Sequence, residues 1–332
     1  QSTTMVSPSN NSSSNAEPYN SILVTQDSAD SSVLIGTEKT IYIGIGNNGT
    51  GTQPLNVYLT NPVSGNYTVI VSNDGSKDSG RVMAGGVGSL SSAALTNIHG
   101  PLSVQVTATG AGTGKAIAEA IGIGAISGTL NTESANVKVT ATGGITSVAA
   151  NAIAHGVVNG SNDGMAGQPV MNIGNSTGEN TLTVLAAGGR AQGILTDVSV
   201  VAYGAENYNN LTFRGTTTIS AVAQGGSLAA GGSYTAGAAY GETYGLYNSG
   251  TGSVIVADSM IIDQVKGLGY AGSDVRGVAA GIFNNGGTIT LGTLAMNNIL
   301  AESGTASSQG VAEATAFGVQ NALGTVTTAT FD

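Results

Sequence analysis

The sequence predicts an all-β protein: a small antiparallel sandwich or meander, followed by a repetitive β-solenoid-like or stacked-sheet region. Three observations predict it. Period-two runs such as Thr40-Ile41-Tyr42-Ile43-Gly44-Ile45 and Tyr67-Thr68-Val69-Ile70-Val71 put alternate side chains on opposite faces, the pattern of half-buried strands. A glycine–asparagine turn recurs at a near-constant interval in the later part of the chain, which marks a repeat architecture. Glycine fills 52 of 332 positions while charged residues make up 8%, so the composition favours turns and close strand packing over charged surface helices.

Taken in order, residues 1–20 (QSTTMVSPSNNSSSNAEPYN) are polar, carry two prolines and show no periodicity. Such a tail is ordered only by packing, either on its own domain or on a neighbouring subunit. Residues 21–98 hold short alternating runs separated by clusters such as GNNGTG and SNDGSKDSG, and read as an antiparallel β domain. Pro54 and Pro62 fall at edges or turns, where a missing N–H costs least.

Residues 99–332 form a Gly/Ala/Thr-rich repeat region with a unit of about 36 residues. The clearest copies are Tyr244-Gly245-Leu246-Tyr247-Asn248, Ala280-Gly281-Ile282-Phe283-Asn284 and Phe317-Gly318-Val319-Gln320-Asn321. Weaker copies sit at His155-Gly156-Val157-Val158-Asn159 and Gly193-Ile194-Leu195-Thr196, and the unit degenerates between 197 and 243. The repeat turns are therefore Gly156/Asn159, Gly245/Asn248, Gly281/Asn284 and Gly318/Asn321, with glycine and asparagine expected to supply positive φ. One such unit cannot bury its apolar face alone, whereas stacked copies share a narrow continuous core. The stretch AIAEAIGIGAI (116–126) also scans as a helix, but its glycines and β-branched residues favour a strand.

The recurring A-x-G-φ-x-N turn (φ here an apolar residue) followed by G-T-φ-T strands, over about residues 99–332, resembles the β-helical passenger repeats of autotransporters and filamentous-haemagglutinin-type adhesins. By composition alone the chain also resembles self-assembling prokaryotic envelope subunits of surface layers and sheaths. The first resemblance implies a β-helix. Its unit is longer than one short coil of those helices, so nearly two coils per unit are expected.

Composition excludes several functions. The net charge is −10 and basic residues nowhere form a patch, so nucleic acid is not expected as a partner. With no cysteine there is no thiolate nucleophile, disulfide or Cys-ligated metal. No apolar run is long enough to insert into a membrane. A chain that opens at Gln1 without an apolar segment reads as a mature secreted protein at the cell surface.

Chemical motifs are sparse. Gly44-Ile45-Gly46-Asn47-Asn48-Gly49 has the dinucleotide spacing but leads into another strand, and Gly110 to Lys115 departs from a phosphate loop at Thr109 and Ala116. His99 and His155, the only imidazoles, have no carboxylate nearby in sequence, so they read as structural. Asp258, Asp263 and Asp274, with Lys266 and Arg276, are the only carboxylate set worth weighing for polysaccharide cleavage. Calcium is the one metal the turns leave room for. The candidates are Asp74, Asp78 and Asp163, with Asp27 and Asp30 beside them, and an Asx-turn is the plainer reading of each. Sequons at Asn10, Asn11, Asn48, Asn66, Asn159, Asn175 and Asn210 reflect a chain rich in Asn, Ser and Thr. No catalytic or cofactor-binding residue is expected.

The expected function is mechanical: a non-catalytic extracellular subunit that joins identical subunits through strand edges into a filament, sheath or layer. A monomeric adhesin binding surface glycans or host proteins is the alternative, and a polysaccharide lyase or hydrolase the third.

Overall fold

A computed structural model of the chain describes residues 9–10, 22–24, 33–34, 40–47, 54–59, 67–74, 81–110, 117–144, 150–162, 167–191, 196–228, 236–307 and 309–332. Strands stack in parallel, each on the equivalent strand of the next coil. Ile117–Ala125 lies between Arg81–Ser89 and Ala152–Asn159. Thr129–Thr142 pairs on one side with Leu95–Thr109 and on the other with Val170–Ile173 and Glu179–Ala187. The protein is thus a parallel β-solenoid, and no helix occurs among the described residues, hence none long and apolar enough to cross a membrane.

Two expectations change. The antiparallel sandwich over 21–98 is not confirmed: Thr40–Asn47, Leu55–Tyr58 and Val69–Asn73 pair in parallel with Arg81–Ser89 and Leu95–Thr109 as coils of the same solenoid. Among the described residues there, only Val33–Leu34 on Thr40–Ile41 is antiparallel. A period-two run specifies a half-buried strand, not the direction of its partner. The repeat unit is also one coil of three strand segments instead of nearly two coils. Of residues 1–20, only Ser9–Asn10 are described; they pair with Gly46–Asn47.

The coil is bent at a column of glycines: Gly44, Gly86, Gly122, Gly156, Gly204, Gly245, Gly281 and Gly318, at intervals from 34 residues (Gly122 to Gly156) to 48 (Gly156 to Gly204). In Ile117–Ala125 the alternation inverts there, since Ala118, Ala120 and Gly122 are buried and so is the very next residue, Ile123. A Cβ on Gly122 would stand 2.5 Å from the carbonyl oxygen of Gly156, and one on Gly204 would stand 2.5 Å from that of Gly245. Glycine is required because the backbones of successive coils and the opposite wall meet at this point.

Opposite the glycines runs a column of larger side chains, Val69, Val104, Val137, Leu182, Ile219 and Ile262, buried and in register. Adjacent inward columns such as Leu130, Met171, Leu211, Ile255 and Ile289 complete one continuous core from Ile45 to Leu294. Alanine columns (Ala108, Ala141, Ala186 and Ala223) thin the core where the walls converge. The stretch 116–126 is a strand over Ile117–Ala125, as its β-branched residues and glycines required.

Replacing Gly204 by alanine is expected to destabilise the protein by about 1–3 kcal/mol through overpacking. Gly85→Ala places its Cβ no nearer than 3.6 Å to another heavy atom and is expected to stay within about 0.5 kcal/mol of the parent. Denaturant unfolding compares the two, and equal midpoints would show that the glycine column is not sterically enforced.

Candidate functional site

Three outward or turn-facing features stack along the coil axis: amide ladders, a concave bend holding His155, and an aromatic column. The first ladder follows from the repeat turn. Asn159 donates to Oδ1 of Asn207 at 3.0 Å, Asn207 to Asn248 at 2.8 Å, Asn248 to Asn284 at 2.9 Å and Asn284 to Asn321 at 2.9 Å. The same amides cap turn carbonyls, as Asn207 does at Val254 (3.0 Å) and Asn284 at Gly287 (2.9 Å). These asparagines are needed for their amides. Positive φ falls instead to glycines such as Gly286 (93°) and Gly324 (117°), and among the described non-glycine residues only to Asn298. A second ladder links Asn172, Asn131, Asn97 and Asn56 at 2.8, 2.9 and 3.1 Å.

The inversion at the glycine column makes the outside of the bend concave. A cavity of about 290 Å³ lies in the angle, walled on one arm by Ile43, Ile121 and His155 and on the other by Gly88, Gly124, Val158 and Glu206. Its surface is mostly apolar. The polar exception is a cluster assembled from three coils. His155 Nε2 lies 3.4 Å from Glu119 Oε1, and His155 Nδ1 lies 2.6 Å from Glu206 Oε2. The His155 and Glu206 side chains are 9% and 8% exposed, and Nδ1 and Oε2 meet without the alignment of a hydrogen bond. Glu206 Oε1 accepts the Tyr208 hydroxyl.

Beyond His155 the outward column turns aromatic. Tyr203 stacks on His155 with ring centroids 5.2 Å apart and on Tyr244 at 5.5 Å, and Tyr247 stacks on Phe283 at 4.8 Å. The ring faces cover one another along the axis, leaving mainly edges outward. Burial raises the Tyr203, Tyr208, Tyr244 and Tyr247 phenols above their ordinary value; Glu206 adds to this at Tyr203 and Tyr208, and Glu242 at Tyr244.

Sequence-predicted positions distribute as follows. Gly156, Gly245, Gly281 and Gly318 stand in the glycine column and Asn159, Asn248, Asn284 and Asn321 in the ladder. The copy expected at Gly193 lies outside the described residues. The coil in that region is carried by Gly204 and Asn207, inside the stretch that reads as degenerate. Asp74 is exposed at a strand end, while Asp78, Asp163, Asp27 and Asp30 lie outside the described residues. Gly44 to Asn47 are strand, and Asn48–Gly49 and the 111–116 segment lie outside the described residues.

Asp258, Asp263 and Asp274 are not gathered into one groove. Asp258 pairs with Arg214 at 3.1 Å and accepts the Gly215 N–H, Asp274 accepts the Val311 N–H at 2.8 Å, and Asp263 is exposed. Both histidines have carboxylates after all, each from another coil. His99 lies 3.2 Å from Glu133 and stacks on Tyr58 at 4.7 Å; the Gly100 N–H, before the imidazole, holds the Glu133 carboxyl below its ordinary value. Among the described residues no group of three His, Asp or Glu side chains is arranged to hold a metal ion. In the His155 cluster the ring stands between its two carboxylates.

Comparison with protein-family models, with curated proteins and with solved structures found no match for the chain.

Asn207→Ala strands turn carbonyls and the Asn159 amide in a buried place, and is expected to cost about 1–3 kcal/mol in denaturant unfolding. A second outcome concerns alkali. Unfolded tyrosines ionise near pH ~10, whereas the folded column holds its protons to higher pH, so above that pH the folded state binds more protons and stability falls as pH rises. Absorbance titration is expected to show exposed tyrosines ionising first and the column only with unfolding; a single phase at the ordinary value would contradict the burial of these rings.

Proposed function

We propose that the protein is a non-catalytic, extracellular structural subunit that joins identical copies through strand edges into a filament, sheath or layer at the cell surface. The observation that supports this reading best is the repetition of the same glycine, asparagine and apolar columns from coil to coil, each strand bonding in parallel to its equivalent in the next coil. An unpaired strand edge of such a stack is a template for another strand.

Low charge supports the same reading, since 8% charged residues put few ions in the way of close packing. The monomeric adhesin is the second reading, and the observation in its favour is the cavity in the concave bend. Neither reading requires calcium or another cofactor, and neither assigns a catalytic residue.

Electron microscopy and light scattering of the purified chain test the proposal. Ordered filaments, tubes or sheets are expected. A dispersed rod-shaped monomer at all concentrations would overturn the assembly reading and leave the adhesin.

A further inference from the structure

The cavity in the bend is unlike the rest of the surface. Its wall carries apolar side chains from three coils, Met83, Leu90, Ile121, Ile126 and Val158, with Gly85, Gly88 and Gly124 leaving the space between them. At one place this wall is broken by Glu119, His155, Glu206 and Tyr208. A carboxylate more than nine-tenths buried is costly unless its oxygens are fully hydrogen-bonded. Glu206, which lines the cavity, meets that requirement only at Oε1, through Tyr208; its Oε2 is buried 2.6 Å from a His155 Nδ1 that is likewise unaligned.

We propose that this cavity is a binding site for a small amphipathic amine, with the ammonium at Glu206 and His155 and the apolar body among Met83, Ile121 and Val158. Three properties select that class. An ammonium brings only donors to a wall where carboxylate oxygens are the acceptors. Its positive charge is attracted by Glu119 and Glu206 together at the mouth of a low-dielectric cavity. A volume of about 290 Å³ suits one ring with a short chain, since a 150 Å³ apolar cavity already admits benzene. A carboxylate head would be repelled. A sugar would leave its hydroxyls against apolar walls, and the neighbouring aromatic rings stack on each other and so offer it no free face.

The site lies on the flank of the coil stack, so it stands whether the protein is polymeric or monomeric. Calorimetric titration of the intact protein with 4-phenylbutylamine is expected to give saturable one-to-one binding. That binding should be about tenfold or more tighter than 4-phenylbutanol's, with 4-phenylbutyrate not binding. Two variants localise it. Glu206→Gln is expected to bring the amine down to the affinity of the alcohol. Gly88→Val, whose Cβ would have only ordinary contacts at 3.8 Å with Ile43 and Leu90, is expected to fill the cavity and abolish binding of both while the fold, read by circular dichroism, is kept. Absence of amine binding, equal affinity for amine and alcohol, or binding that survives Gly88→Val would each overturn the proposal.

Discussion

The close approach of backbone to backbone at the glycine column is the constraint on which the rest of this structure depends. Where Gly122, Gly156, Gly204 and Gly245 sit, the carbonyl of the next coil occupies the space a side chain would need. With no side chain there, two consecutive residues can face inward, and the wall folds back on itself. The inward side of that fold is filled by the valine, leucine and isoleucine column from Val69 to Ile262, which supplies the volume the glycines omit. The outward side is the concavity in which His155 and Glu206 meet from opposite arms. One steric requirement therefore sets both the thin core and the recess at His155.

A solenoid of this kind must also satisfy the turn that closes each coil, because its carbonyls are buried between neighbours. Here the solution is an amide column instead of water or charge. Each asparagine from Asn159 to Asn284 donates to the next asparagine and to a turn carbonyl, so the polar groups of successive turns satisfy one another. The aromatic column does the same for apolar surface: Tyr203 covers His155 and Tyr244, and Tyr247 covers Phe283. Matching chemistry at matching height on successive coils explains how a chain with 8% charged residues can still build a regular stack.

How much of this the sequence displays depends on the coil. At Gly245, Gly281 and Gly318 the glycine and the asparagine three residues later are both present, and the repeat is plain. At Gly86 and Gly122 the ladder position holds Ser89 and Ala125, so half the signature is gone while the steric demand on the glycine persists. At Gly204 the signature is intact, but a 48-residue interval from Gly156 hides it from a search at about 36. The parallel pairing of Thr40–Asn47 and Leu55–Tyr58 is invisible to alternation, which reports a face and not a partner. The His155 cluster is hidden for a different reason. Its carboxylates come from positions 36 residues before and 51 after, distances that become contacts only once the coil length is known.

Stacking also gives successive coils the same interface. A strand such as Ala236–Ser249 bonds to a neighbour on each side, Thr196–Asn207 and Asp274–Met296, and its Leu246 is fully buried. Since each coil is stabilised chiefly by its neighbours, the glycines, amides and apolar residues that order one coil are the same groups that seat the next. The stack is therefore extended by repeating one interface, and the chemistry that would join two copies is the chemistry that already joins two coils.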